Sequence, residues 1–279
     1  LMHEHIHADL TVASEGATPP ERVELLRGYC APFLARLADY GCHTIIECTP
    51  MPMRAEPWVY QEMARAGKLN IVMSTGYYRE AVPDEPRPCG RGIPHRWLDA
   101  RVAGSDVETL AGIIVDEWEH GVRGTEVRPG IIKLASTLRE FTPGEAKTFQ
   151  AGALAQQRTG LAITTHAIGR GTAEAQLDLL EASGADPARL ILGHTGGLLL
   201  EAPWIARALI ERGATLLLTN LRMDDPVASL QKLVYEIRRL FEVETTVAPG
   251  NEDAHLQVAG AKVRYNPRRI PFDRVTGIE

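Results

Sequence analysis

Seven short apolar runs separated by longer amphipathic stretches constrain the fold of this chain more than any other feature. The runs are HTIIECT (43–49), NIVMST (70–75), GIIKLA (130–135), LAITTH (161–166), LILGH (190–194), ATLLLT (214–219) and ETTVAP (244–249). They are rich in Ile, Val, Leu and Thr with little polar alternation, the pattern of strands covered on both faces. The stretches between them carry helix starts. TPPE (18–21), SDVE (105–108) and TPGE (142–145) each set a Ser or Thr three residues before a Glu, which predicts caps at Thr18, Ser105 and Thr142. Pro19 and Pro143 suit a first helical turn. DPVASLQKLVYEIRRLF (225–241) repeats apolar residues at helical spacing. Gly41, Gly67, Gly121, Gly160, Gly184 and Gly213 fall near the predicted helix ends.

Parallel strands joined by helices give either a doubly wound sheet or a closed barrel. No GxGxxG follows the first strand, which counts against a dinucleotide-binding sheet. With a further strand at the start of the chain, the count reaches eight. The expected fold is an α/β (β/α)8 TIM barrel, one domain over residues 1–279. It is expected to be incomplete at both chain ends, because the strand leading into HEH and a closing helix after VTGIE are not legible. A net charge of −6 advertises no basic surface for nucleic acid. No apolar run approaches the ~20 residues that cross a bilayer. The four cysteines, none in CxxC, read as reduced thiols of a cytoplasmic protein.

Reactive side chains cluster at the ends of these strands. MHEHIH stands at the end of the first, Lys133 lies inside GIIKLA, and His166 and His194 end LAITTH and LILGH. In a barrel these ends converge on one mouth. Residues two apart on a strand point the same way, so His3 and His5 can share one ion. A carboxylate to complete such a set would come from APGNEDAHL, which offers Glu252 and Asp253. A lysine in an apolar strand is costly unless paired or neutralised. Lys133 therefore implies a salt bridge, a Schiff-base amine in an aldolase-like barrel, or a carbamate formed with carbon dioxide.

The blocks HEHI (3–6), NIVMSTGYY (70–78), EHGVRGTEVRPGIIKLAST (119–137), THAIGR (165–170) and ILGHTGG (191–197) resemble, in order and spacing, the phosphotriesterase-related branch of the amidohydrolase superfamily. The resemblance implies a distorted (β/α)8 barrel holding two divalent metal ions, zinc first and manganese, cobalt or iron as alternatives. On that pattern His3 and His5 bind the buried ion, carbamylated Lys133 bridges the two, and His166 and His194 bind the exposed one. Asp253 is then ligand and proton acceptor, with Asp273 as the fallback, and His7 is a loop histidine outside the set. Tyr78 resembles a pocket-shaping aromatic of lactonase-like relatives and also reads as a rim tyrosine. Arg222 suits a substrate carboxylate or phosphate, or a pairing with Asp224 or Asp225. The loop 79–97 reads as a cover over the mouth, with Glu47, Cys48 and Trp97 as wall residues. The implied activity is hydrolysis of a lactone or carboxylic ester, with phosphotriester cleavage or a non-catalytic binding protein as alternatives. The implied partner is a small-molecule substrate, with no nucleic acid or membrane, and the family pattern adds a homodimer.

Overall fold

The computed structural model describes residues 1–10, 15–80, 98, 101–136, 140–167 and 171–219, and the backbone of 255–258 and 261–264. The chain forms two compact units, Leu1–Gly193 and His194–Glu279. The first holds strands β1 (Thr44–Glu47), β2 (Asn70–Gly76), β3 (Ile131–Ser136), β4 (Ala162–Ala167) and β5 (Leu190–Leu192). All neighbouring pairs are parallel, and spatial order follows chain order. A doubly wound sheet reverses its strand order at a switch point. The steady progression here is the winding of a (β/α)8 barrel. The start of the chain adds a further stave beside β1. Ile46 N–H donates to Leu1 O (2.9 Å), Glu4 N–H to Ile46 O (3.0 Å) and Cys48 N–H to Glu4 O (2.8 Å).

Each crossover carries a helix. A continuous helical run comprises α1 (Pro20–Leu25), a π-turn Leu26–Cys30, α2 (Ala31–Leu37) and a 3-10 turn Ala38–Tyr40. The π-turn sits ahead of Pro32, which has no N–H and whose ring crowds the preceding turn of a regular helix. α3 (Pro57–Gly67) links β1 to β2, and α4 (Arg101–Gly104) with α5 (Val107–His120) precedes β3. α6 (Pro143–Thr159) links β3 to β4, and α7 (Thr172–Ala182) leads to β5. Val23, Leu26, Leu34 and Leu37 pack with Val59 and Met63 of α3 over Ile45 and Met73 of the sheet. Full burial of one such side chain contributes about 1.5–3 kcal/mol. All six residues of β3 are buried, Lys133 and Ser136 included, as a strand covered on both faces requires.

The predicted caps hold in part. Thr142 and Glu145 form the full capping box of α6. At α5 the cap is Asp106, one residue beyond Ser105, and its carboxylate accepts from Thr109 N–H. Thr18 caps nothing, since α1 starts after Pro19; its hydroxyl accepts from Glu56 N–H at 3.0 Å and so ties two loops together. Gly67 ends α3, but Lys68 takes the left-handed cap. A Cβ on Gly67 would lie 2.9 Å from that of Leu34, so the glycine serves packing.

Arg54 carries a buried ion network. It pairs with Glu117 and with Glu15 (2.6 Å) and donates to Ser74 O at 3.1 Å. Thr75 Oγ1 donates to Glu117 at 2.6 Å. This ties the β1–α3 connection and α5 to β2.

In the second unit α8 (Gly196–Glu201) and α9 (Pro203–Glu211) precede β6, of which only Thr215–Leu216 is strand, shorter than ATLLLT suggested. An antiparallel hairpin, β7 (His255–Val258) with β8 (Ala261–Arg264), was not foreseen. ETTVAP and the helix expected over 225–241 lie outside the described residues. Cys30, Cys42 and Cys48 are free thiols. No helix among the described residues is long and apolar enough to cross a membrane.

Candidate metal centre

Lys133 is the centre of the site. It sits at the third position of β3 with no solvent exposure, and its Nζ lies 2.9 Å from His3 Nε2. Burial pushes its ammonium down to about 8, against the opposing pull of Cys48 and Glu47. Near neutrality this amine therefore gives up its proton far more readily than a surface lysine. The end of β2 lies close against this part of β3. Tyr77 N–H donates to Lys133 O at 2.9 Å, and a Cβ on Gly76 would lie 2.2 Å from that oxygen.

His3 and His5 stand side by side, ring centroids 5.4 Å apart at 68°. His3 is buried and His5 exposed. Behind His3 passes the end of β5. A Cβ on Gly193 would lie 2.2 Å from Thr165 O and 3.0 Å from His3 Cε1. Only a glycine lets β5 run this close to the ring. His7 is only 8% exposed, and burial lowers its pKa; the charged groups bearing on its ring are Asp9 and Arg22. It is a buried residue in an irregular segment.

Beneath the HxH segment Glu47 is fully buried at the end of β1. Its carboxylate accepts the backbone N–H groups of Ile6, His7 and Thr49 (2.8 Å for Thr49) and the Thr49 hydroxyl. Burial raises it to about 7 in spite of these four donors. Thr49 Oγ1 in turn lies 2.8 Å from His5 Nδ1. Cys48 is fully buried, its thiol pushed up to about 11 by burial, which leaves it neutral and a poor ligand.

His166, one residue before the end of β4, stands opposite Ala135, and Lys133 stands opposite Thr164. Residues two apart share a face of a strand, so Lys133 and His166 project from the same face of the sheet. The Tyr78 ring meets His166 edge-on with centroids 5.5 Å apart. Gln176, fully buried on α7, donates to His166 O (2.9 Å) and Ser136 Oγ (2.8 Å), fastening the ends of β4 and β3. In the second unit His194 adopts a left-handed backbone, φ 60°, and its Nδ1 lies 2.5 Å from Thr219 Oγ1. Asp253, Glu252, Asp273, Arg222 and Trp97 lie outside the described residues.

Among the described residues no group of three His, Cys, Asp or Glu side chains is placed to hold a metal ion. The converging donors are two imidazoles and one desolvated amine. Imidazole nitrogen suits zinc and similar divalent ions, and the amine adds an oxygen ligand only once it is carbamylated. The donor set fits such an ion on that condition. Four residues hold this arrangement: Glu47, Thr49, Gly193 and Gln176. The sequence marks Glu47 only as a wall residue and does not single out the other three. Glycine directly before a strand-end histidine was the one local signal for any of them.

The chain is similar to known proteins in sequence and fold. The Phosphotriesterase family model matches residues 1–242. The Phosphotriesterase homology protein of Escherichia coli is 33% identical over 195 residues, covering 70% of this chain and 61% of that protein. The N-acetyltaurine hydrolase of Dictyostelium discoideum is 30% identical over 155 residues, covering 55% of this chain and 38% of that one. This chain thus spans less than two thirds of the length of the curated relatives it matches. The crystal structure of the E. coli homology protein, complexed with phosphate in its active site, superposes with a TM-score of 0.68 at 27% identity, covering 86% of this chain and 77% of that one. A family match over most of the length and a shared barrel winding lead to one conclusion: the chain belongs to the phosphotriesterase family.

Proposed function

We propose that this protein is a binuclear metal-dependent hydrolase that cleaves a lactone or carboxylic ester. The observation that carries the reading is Lys133, fully buried, with its Nζ 2.9 Å from His3 Nε2. A neutral amine there adds to carbon dioxide, forming an N–C bond and releasing one proton, and becomes an anionic carbamate with two oxygen donors. His3 and His5 stand beside it. His166, His194 and Asp253 complete the proposed donor set on the strength of the sequence blocks in which they stand. Zinc is the first choice of ion for imidazole and carboxylate-like donors.

Two divalent ions, when bound, supply hydroxide at neutral pH and polarise the electrophilic oxygen of the substrate. The chain's own contribution is placement. Lys133 holds the donors in the sheet, and the Glu47 clamp fixes the HxH segment. Asp253 accepts the proton as the nucleophile adds. Tyr78, on His166, forms one wall of the substrate pocket, and Arg222 contacts a polar group of the substrate. The relative that acts on N-acetyltaurine supports a carbonyl electrophile. The phosphate in the active site of the E. coli relative supports the alternative, a phosphotriester.

A substrate panel tests this. Protein reconstituted with zinc and bicarbonate is assayed against lactones, carboxylic esters and phosphotriesters. Lactone or ester turnover well above phosphotriester turnover is expected. Faster phosphotriester cleavage would replace the substrate assignment, and no turnover of any class with both ions bound would overturn the hydrolase reading.

A further inference from the structure

The buried pair Glu47 and Thr49 has no place in the donor set, yet it touches a member of it. Glu47 is a fully buried carboxylate whose oxygens receive three backbone N–H groups and one hydroxyl, all of them donors. Thr49, also fully buried, has a single hydroxyl proton. With the Glu47 carboxylate ionised, that proton goes to the carboxylate, and the Thr49 oxygen accepts from the nitrogen 2.8 Å away, His5 Nδ1. Hydrogens follow from the network here as they do for any imidazole. A neutral imidazole carries one proton, and placing it on Nδ1 leaves the lone pair on Nε2.

We propose that Thr49 is a positioning residue through which buried Glu47 fixes His5 in the tautomer protonated at Nδ1, presenting Nε2 as the donor nitrogen. The inference rests on the reading of His5 as a metal ligand. It adds which nitrogen binds and what sets it. The relay also couples ring orientation to backbone. The same carboxylate grips Ile6 and His7, the residues directly after His5, so one anion sets both the path of the segment and the rotation of the ring. Outer partners of this kind typically account for 10–100-fold in metal affinity.

The test reads the tautomer without metal. Long-range proton–nitrogen NMR of metal-free protein at pH 8, where an ordinary imidazole is neutral, distinguishes the protonated ring nitrogen from the bare one. The expected result is His5 protonated at Nδ1, loss of that preference in Thr49→Val, and its return in Thr49→Ser. A wild-type His5 protonated at Nε2 would overturn the proposal without any variant, as would an unchanged tautomer in Thr49→Val. Zinc alone, titrated against a chelator, should bind Thr49→Val about 10–100-fold more weakly than wild type, with Thr49→Ser close to wild type. Equal zinc affinity in wild type and Thr49→Val would also overturn it. A wild-type chain that shows the Nδ1 proton but binds no zinc would sink the hydrolase reading and still support the relay.

Discussion

Replacing Gly193 by alanine adds one methyl group at the closest approach in the site. Its Cβ would stand 2.2 Å from Thr165 O, 3.0 Å from His3 Cε1 and 3.1 Å from His3 Nδ1. Ordinary van der Waals contact begins near 3.4 Å, so the carbonyl contact is short by roughly 1 Å. Thr165 O is backbone inside β4 and cannot rotate away, which leaves the end of β5 and the His3 ring to move. Overpacking of this kind costs about 1–3 kcal/mol. Displacing His3 also breaks its 2.9 Å contact with Lys133. G193A should therefore lower stability by about 1–3 kcal/mol in urea denaturation and weaken zinc binding by about 10–100-fold in chelator competition. Gly112 is the control. It lies within α5 with nothing within 4 Å of the methyl group an alanine would add, so G112A should leave zinc binding unchanged and add up to about 1 kcal/mol of stability. Wild-type stability and zinc affinity in G193A would refute the idea that this glycine seats His3.

Substitutions at Arg54, Lys133 and Tyr78 probe the frame around the site. Arg54→Ala should cost about 3–5 kcal/mol by stranding Glu117 and Glu15, and R54M/E117L should recover most of it; a near-neutral R54A would contradict the network. In metal-free protein the amine of Lys133 titrates near 8 folded against 10.5 unfolded, so between those values the unfolded chain holds the extra proton and stability rises with pH. K133M should remove that rise between pH 8 and 10.5, and parallel wild-type and variant profiles would show that the amine is not desolvated. Tyr78→Ala should raise KM for a lactone or ester with zinc content unchanged, while Tyr78→Phe keeps the His166 contact and stays close to wild type; loss of zinc in Y78A would make the tyrosine structural.

The strands around the site were legible because each is a short run rich in Ile, Val, Leu and Thr, and β3 overlaps GIIKLA in all but the first residue, with Lys133 as its anomaly. Local chemistry also carried Thr142 and Glu145, whose capping box is written in four consecutive residues. Where two cap-forming residues stand together, as at Ser105 and Asp106, the spacing alone misplaced the cap by one. The supports of the site were not legible, for a physical reason. Glu47 acts on Ile6, Thr49 on His5, Gln176 on Ser136 and Gly193 on His3, contacts made across strands by residues far apart in the chain. No window of sequence holds both partners. Gly67 shows the same limit, since a helix-end glycine was expected to take the left-handed turn and instead makes room for Leu34.

The central claim is that Lys133 holds metal together with the strand-end histidines. Elemental analysis of untagged protein, reconstituted with zinc and bicarbonate and compared with Lys133→Ala treated identically, tests it most directly. The account predicts close to two zinc ions per wild-type chain and a marked loss in the variant, partly restored by added short carboxylic acids that stand in for the carbamate. Full zinc content in Lys133→Ala, or none in the wild type, would contradict it.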